Sequence, residues 1–358
     1  MSGEERSRVE KGRGAVTNPA GRFEPRHAVE VDDGWGSLDE PPRRAETVVV
    51  ADRPRKAITR NDSPDVPFDQ SVNPYQGCEH GCIYCFARPT HSYLNLSPGL
   101  DFETRIVAKV NAAQRLREAL AQRAYQPLML NLGSATDAYQ PVERRLRITR
   151  AVVEVLAECR HAFSLVTKSA GVERDLDLIA PMAAQKLVAV YVSITTLDAA
   201  LARILEPRAA SPQRRLRTIR TLAEAGVPVG VSVSPVIPFV NEPELERVLE
   251  AAAEAGAKSA FSIVLRLPWE VNPIFQDWLA RHYPLRAERV MARLREMRGG
   301  RDNDANFGTR MTGEGVWARL LRQRFHKACA RLGLNRERHE LDLTLFRRPG
   351  AAGQAELF

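Results

Sequence analysis

Short apolar runs rich in β-branched residues alternate along most of this chain with longer stretches in which apolar residues recur every three or four positions. The runs lie at 128–132 (LMLNL), 163–167 (FSLVT), 187–194 (LVAVYVSI), 227–233 (VPVGVSV) and 260–265 (AFSIVL), and a shorter one spans 71–75. Such runs predict strands buried on both faces, and the helical period between them predicts helices near 112–123, 142–160, 174–184, 212–225 and 242–255. Two of these helices end in Glu-Ala-Gly, at Gly226 and Gly256, where glycine takes the left-handed conformation that closes a helix. Regular alternation of strand and helix means parallel βα units. About six such units suit a full or partial α/β barrel better than a doubly wound sheet.

The pattern is absent at both ends. Residues 1–65 are polar and broken by Pro and Gly, with one strand-like run at 47–50, and predict a poorly ordered lead-in to a barrel at 66–268. Past Pro268 the segment 269–348 holds helical stretches at 286–298 and 316–332 and a strand-like LDLTLF. It predicts a mainly helical extension packed on the barrel, followed by a flexible tail at 349–358. Hydrophobic residues at 44% and charged residues at 27% are those of a soluble globular chain, and no apolar stretch is long enough for a membrane helix. The N-terminus is charged with no apolar run behind it, which predicts a cytoplasmic protein without a membrane partner. The net charge of +8 is localised: from Arg286 to Arg348, sixteen Arg and Lys against eight Asp and Glu leave an excess equal to that of the whole chain. A basic extension of this kind is a footprint for a polyanion such as DNA, or a solvated helical face in an arginine-rich chain.

Three of the five cysteines fall in CEHGCIYC, where Cys78, Cys82 and Cys85 are spaced C-x3-C-x2-C and Tyr84 directly precedes the last. In a reducing compartment this grouping argues for metal ligation over disulfides. Three thiolates on one short loop can hold three irons of a four-iron cluster, leaving the fourth open to an external molecule. Zinc would instead use Cys82 and Cys85 with His80 or His91, although no second C-x-x-C pair is present. A thioredoxin-type redox pair would leave Cys78 without a role. Cys159 and Cys329 lie in helical stretches and read as small core residues.

In a parallel barrel, ligands are met at the C-terminal ends of the strands. The polar residues there are Ser134, Thr136 and Asp137, then Lys168 and Ser169, then Ser193, Thr195 and Thr196. Serine and threonine at such places also cap the next helix. Lys168 follows a buried strand and needs an anion, either an Asp of a neighbouring strand or a ligand carboxylate.

From about Arg55 to Gly315 the chain resembles the radical S-adenosylmethionine superfamily. The branch is the one related to spore photoproduct lyase, often labelled DNA-repair-photolyase-like, through NPYQGCEHGCIYCFARPTH, LGSATDAYQPVE, LVTKS, VSITTLD, LEPRAASP and EMRGG. The resemblance implies a partial (β/α)6 TIM-type barrel, a [4Fe–4S] cluster on Cys78, Cys82 and Cys85, and S-adenosyl-L-methionine chelating the open iron. One electron, from a donor such as flavodoxin or ferredoxin, would then yield a 5′-deoxyadenosyl radical. Thr136, Lys168 and Ser193 match positions that contact the cofactor, with Tyr84 and Ser134 beside them. In the lyase a cysteine returns a hydrogen atom to the product, and the matching position here is Ser134, whose O–H bond is too strong for that role. Repair of spore photoproduct itself is therefore not expected. Nucleic acid is the expected substrate class, a protein or small molecule the rival, and a zinc-stabilised non-catalytic nucleic-acid-binding protein the alternative outside enzymes. The terminal GQAELF resembles the peptide by which bacterial repair proteins dock on the sliding clamp, with Leu357 and Phe358 as anchors and Gln354 as a polar contact.

Overall fold

The structure, a computed structural model, describes residues 12–23, 46–337 and 340–350. In chain order the strands are β1 (Val48–Asp52), β2 (Ile58–Arg60), β3 (Gln70–Val72), β4 (Tyr75–Gln76), β5 (Arg105–Lys109), β6 (Leu130–Leu132), β7 (Phe163–Thr167), β8 (Val188–Ser193), β9 (Val229–Val236) and β10 (Ser259–Val264). One sheet runs β10-β9-β8-β7-β6-β3-β2, parallel throughout except for β2, which lies antiparallel to β3 at the edge. Its six parallel strands are the expected βα units in sequential order. The sheet stays open between β10 and β2, so the fold is a partial barrel. Strands β8 and β9 are buried at every position but Tyr191 and Ser234, which is why they read as continuous apolar runs and not as alternating ones.

The helices between the strands keep the expected order with shifted ends. Helix Pro212–Glu224 starts on Ser211, whose side chain accepts the Arg214 N–H, and stops before Gly226 at φ +76°. The stretch expected as one helix over 142–160 is two, Glu143–Leu146 and Ile148–Glu158, broken at Arg147 with φ +53°. The break has a cause: the buried Glu143 carboxylate accepts the Thr149 N–H at 2.9 Å and so caps the second helix, a bond that apolar periodicity does not encode.

Three stretches of the polar lead-in are built into the fold: residues 12–23, β1 and β2, the last as the antiparallel edge of the main sheet. β1 pairs in parallel with β5, which pairs antiparallel with β4, making a small second sheet beside the first. Residues 12–23 lie along the loop that carries the cysteines, as described below. β5 was not among the expected strands, because RIVAK is short and only every second residue of it is buried.

The extension after β10 holds three helices among its described residues: Val271–His282, Ala287–Glu296 and Gly315–Leu332. The first was not expected, although Val271, Ile274, Phe275, Trp278 and Leu279 are all buried at helical spacing. LDLTLF is not a strand; Leu341, Leu343, Leu345 and Phe346 pack on the core while its backbone joins no ladder. Much of the basic charge fastens this extension. Arg324 pairs with Glu242 and Glu246, Arg331 with Glu250, and Arg310 with Asp65 across the open edge of the sheet. No described helix is long and apolar enough to cross a membrane.

Arg298 is the deepest of these fasteners. It is buried and donates to the carbonyls of Val264 and Leu265 at the end of β10 and of Thr309 and Arg310 in the extension. Burial lowers its pKa to about 10, so it remains charged at neutral pH. Arg298→Ala is expected to lower stability by roughly 2–4 kcal/mol in urea unfolding, because four carbonyls, two of them in buried bonds, lose their donor. A loss below about 1 kcal/mol would mean that the apolar contacts hold the extension unaided.

Candidate functional site

The cysteine loop runs from β4 to the short helix Arg88–Leu94. Cys78 N–H donates to Phe102 O, then Gly81 N–H to Cys78 O, Cys85 N–H to Cys82 O and Arg88 N–H to Cys85 O. This succession of tight turns brings the three thiol-bearing residues onto one compact loop. Arg88, fully buried, fixes it from beneath: Nε donates to Cys82 O, Nη2 to Gly81 O, and Nη1 to the carbonyls of Pro98 and Gly99. Its charge is met by Glu103, equally buried. The same carboxylate accepts the N–H groups of Gly14 and Ala15, both at 2.9 Å, and so draws the N-terminal segment across the loop. A Cβ on Gly14 would stand 1.9 Å from Gly81 O, so only glycine permits this approach.

Burial pushes the Cys78 thiol well above its ordinary pKa and the Cys82 thiol up to about 12, with Lys168 opposing the rise at Cys82. The ligand form of cysteine is the thiolate, so Cys78 and Cys82 are held protonated until a cation compensates them. Among the described residues no three His, Cys, Asp or Glu side chains are grouped to hold a single metal ion. His80 lies 3.3 Å from Asp137 and His91 meets the Arg105 carbonyl, which disfavours the zinc arrangement. Three thiols on one loop, with no fourth ligand grouped with them among the described residues, fit a multi-iron group with one open iron.

Of the residues expected at the strand ends, Asp137, Lys168 and Thr195 reach this loop through His80 and Tyr84, whereas Ser169, Ser193 and Thr196 bond elsewhere. Past β6, Thr136 donates to Tyr75 O, and Ser134 accepts from Asn73, both ties to the segment that enters the cysteine loop. Past β7, the Lys168 ammonium stands 5.8 Å from the centre of the Tyr84 ring and makes no ion pair among the described residues. Burial opposes its charge, but Cys82 and Glu206 outweigh burial and raise its pKa. Ser193 closes β8, and its carbonyl accepts from Arg215. Gln354, Leu357 and Phe358 lie outside the described residues.

Two buried carboxylates join these elements. Asp137 accepts from Thr167 Oγ1 and Lys168 N–H at 2.7 Å and from Tyr139 N–H at 2.9 Å, besides facing His80. Burial alone would raise its pKa; His80 and these donors bring it down to about 2. Glu206 accepts from the Tyr84 and Thr195 hydroxyls and pairs with buried Arg215. Its pKa also falls to about 2, where Arg215 and Lys168 overcome burial. The Tyr84 hydroxyl is thus held by protein, leaving its ring as the surface Lys168 faces. Glu206, Arg215, Arg88 and Glu103 were not singled out as site residues. Glu206 stands in LEPRAASP, but nothing in the spacing of these four charges announces that they are buried together.

Beside the loop lies a cavity of about 540 Å³, lined in part by His80, Arg144, Arg174, Arg208 and Arg214. Arg174, Arg208 and Arg214 already pair with Glu143 and Asp175, Glu79, and Glu173 respectively, so its walls carry little uncompensated charge. Cys159 and Cys329 are buried in the core, as expected of small apolar residues.

Comparison with known proteins agrees with this geometry. The Mycobacterium tuberculosis protein Rv2578c, itself uncharacterized, is 38% identical over 234 residues, 65% of this chain and 68% of its own. The uncharacterized protein MJ0683 of Methanocaldococcus jannaschii is 26% identical over 236 residues, 66% of this chain and 84% of its own. Among solved structures, spore photoproduct lyase complexed with dinucleoside spore photoproduct shares the fold with a TM-score of 0.56 at 16% identity, covering 80% of each chain. The family profile of the Radical SAM superfamily matches residues 72–252, a span that opens on β3 and takes in the cysteine loop and the ends of β6, β7 and β8. The chain therefore belongs to the radical SAM superfamily, whose enzymes use a [4Fe–4S] cluster and S-adenosylmethionine.

Proposed function

We propose that this enzyme acts on nucleic acid, with Cys78, Cys82 and Cys85 as the ligands of its cluster. The observation that carries the reading is the extent of the shared fold: 80% of this chain follows a lyase whose solved complex holds a dinucleoside. The bound cluster and S-adenosylmethionine supply one-electron cleavage of a carbon–sulfur bond and, with it, hydrogen-atom abstraction. In this reading the three thiols give up their protons to bind iron, and Lys168 meets the cofactor carboxylate. Tyr84, Ser134, Thr136 and Ser193 line the same rim. Ser134 is no hydrogen-atom donor, so the transformation differs from the cysteine-dependent return of hydrogen in the lyase. A reduced flavodoxin or ferredoxin is the matching electron donor, a cytoplasmic setting the matching compartment, and a sliding clamp held by Gln354, Leu357 and Phe358 the matching replication partner.

The arginine fasteners favour a second reading, in which the basic extension serves stability and the substrate is a protein or small molecule. What keeps nucleic acid ahead is the charge left over. Arg286, Arg289, Arg319 and Lys327 are exposed and form no ion pair among the described residues. Arg319 and Lys327 stand eight residues apart on one face of helix Gly315–Leu332.

Substitution of Cys78, Cys82 or Cys85 by Ala is expected to abolish iron and acid-labile sulfide after anaerobic reconstitution, whereas Cys159→Ala and Cys329→Ala retain both. Stoichiometric zinc without sulfide in the parent protein would refute the assignment. Lys168→Met is expected to keep the cluster and weaken S-adenosylmethionine binding by roughly 10- to 100-fold, since a charge-assisted hydrogen bond is lost; unchanged affinity would remove Lys168 from the site. Affinity for DNA is expected to fall linearly with salt on logarithmic axes, and reversal of both Arg319 and Lys327 to Glu to make the slope shallower by about two phosphates' worth. Absence of binding at about 50 mM salt would move the substrate to the second reading.

A further inference from the structure

Arg22, at the end of the described N-terminal segment, has its guanidinium carbon 4.2 Å from the centre of the Trp269 ring, 5.1 Å from that of Phe23 and 5.7 Å from that of Tyr93. Glu270 holds the arrangement: its carboxylate lies 3.6 Å from Arg22 Nε and also accepts from the Arg22 N–H and the Ser92 hydroxyl. These contacts account for Arg22 and Glu270 but not for the rings, which stay open to solvent: Trp269 and Tyr93 are each 68% exposed and Phe23 is 49% exposed. Trp269 also has φ +47°, a left-handed backbone that a bulky side chain rarely adopts. A fold that only needed to bury an indole would not hold one outward on a strained backbone.

Topology shows where this cluster stands. Tyr93 lies on the helix that follows the cysteine loop, and therefore on the β3 side of the sheet. Trp269 comes five residues after the end of β10, the opposite end of the parallel run. The N-terminal segment bridges the two: Gly14 and Ala15 bond Glu103 behind the cysteine loop, Thr17 bonds Asp277, and Arg22 pairs with Glu270. The aromatic cluster thus spans the gap where the barrel fails to close, at the rim that carries the C-terminal strand ends. A macromolecule reaching the interior from the side of that gap meets these rings.

We propose that Trp269, Tyr93 and Phe23, with Arg22 between them, form a stacking platform for unpaired nucleobases at the entrance of the site. The inference rests on the nucleic-acid reading and specifies it as single-stranded or extruded nucleotides. Exposed aromatic faces interleaved with one planar cation suit the π-faces of bases, which stack on rings and on guanidinium alike without regard to sequence. The pairing of Arg22 with Glu270 leaves the cluster without net charge, so it engages bases and leaves the phosphates to basic residues elsewhere.

The test uses the full-length, cluster-reconstituted protein and a single-stranded oligonucleotide carrying one 2-aminopurine, with an otherwise identical oligonucleotide that is abasic at that position. Wild-type protein is expected to quench the 2-aminopurine fluorescence on binding and to bind the abasic strand more weakly. Trp269→Ala and Tyr93→Ala are each expected to lose the quenching and roughly 5- to 100-fold in affinity for the intact strand, while Trp269→Phe retains most of both. On the abasic strand the Ala variants should match wild type. Iron content and S-adenosylmethionine affinity, unchanged in the variants, certify their folding. Variants that bind and quench as wild type does would overturn the platform and leave the nucleic-acid reading standing. A wild-type protein that binds neither strand would overturn both.

Discussion

A guanidinium and a carboxylate taken wholly out of water are costly unless every donor and acceptor finds a partner. Arg88 and Glu103 meet that condition by using the backbone of the cysteine loop as the partner. The charge of Arg88 is spread over four carbonyls that include those of Gly81 and Cys82, and that of Glu103 over two N–H groups of the N-terminal segment. The loop cannot shift without uncovering one of these charges, and the segment cannot leave without uncovering the other. The thiols are thereby placed by an electrostatic constraint from below, and a glycine at position 14 allows the covering strand of chain to come close enough to complete it.

The same logic repeats at the strand ends. Asp137 links β6, β7 and the cysteine loop, and Glu206 links that loop to β8 and Arg215. Both carboxylates stay ionised because their partners outweigh the cost of burial. Lys168 forms no ion pair among the described residues; its ammonium lies near the Tyr84 ring, and Cys82, Glu206 and Asp137 act on it at longer range.

The barrel strands were legible in the sequence because parallel strands covered on both faces leave an unmistakable apolar run, and β7 to β10 were found close to their observed ends. Features carried by specific polar contacts were not. The break at Arg147 depends on the Glu143 carboxylate turning back on the next helix, and Arg88 and Glu103 lie fifteen residues apart with no period joining them. Helix Val271–His282 did carry an apolar stripe, but the prolines at 268 and 273 hid it among loop signals. The cysteines were legible for a different reason: thiol spacing is itself chemistry. The basic extension shows the opposite limit, since its charge count cannot distinguish Arg324 and Arg331, spent on Glu242, Glu246 and Glu250, from Arg319 and Lys327, which face solvent.

The proposed activity couples a radical centre on this loop to nucleic acid. The most direct measurement is anaerobic turnover of the reconstituted enzyme with a chemical reductant and S-adenosylmethionine, scoring methionine and 5′-deoxyadenosine with and without single-stranded DNA or RNA. Cleavage is expected to depend on Cys78, Cys82 and Cys85 and to rise when nucleic acid is present, with deuterium from a labelled oligonucleotide appearing in the 5′-deoxyadenosine. Cleavage indifferent to nucleic acid, with no label transferred, would contradict it.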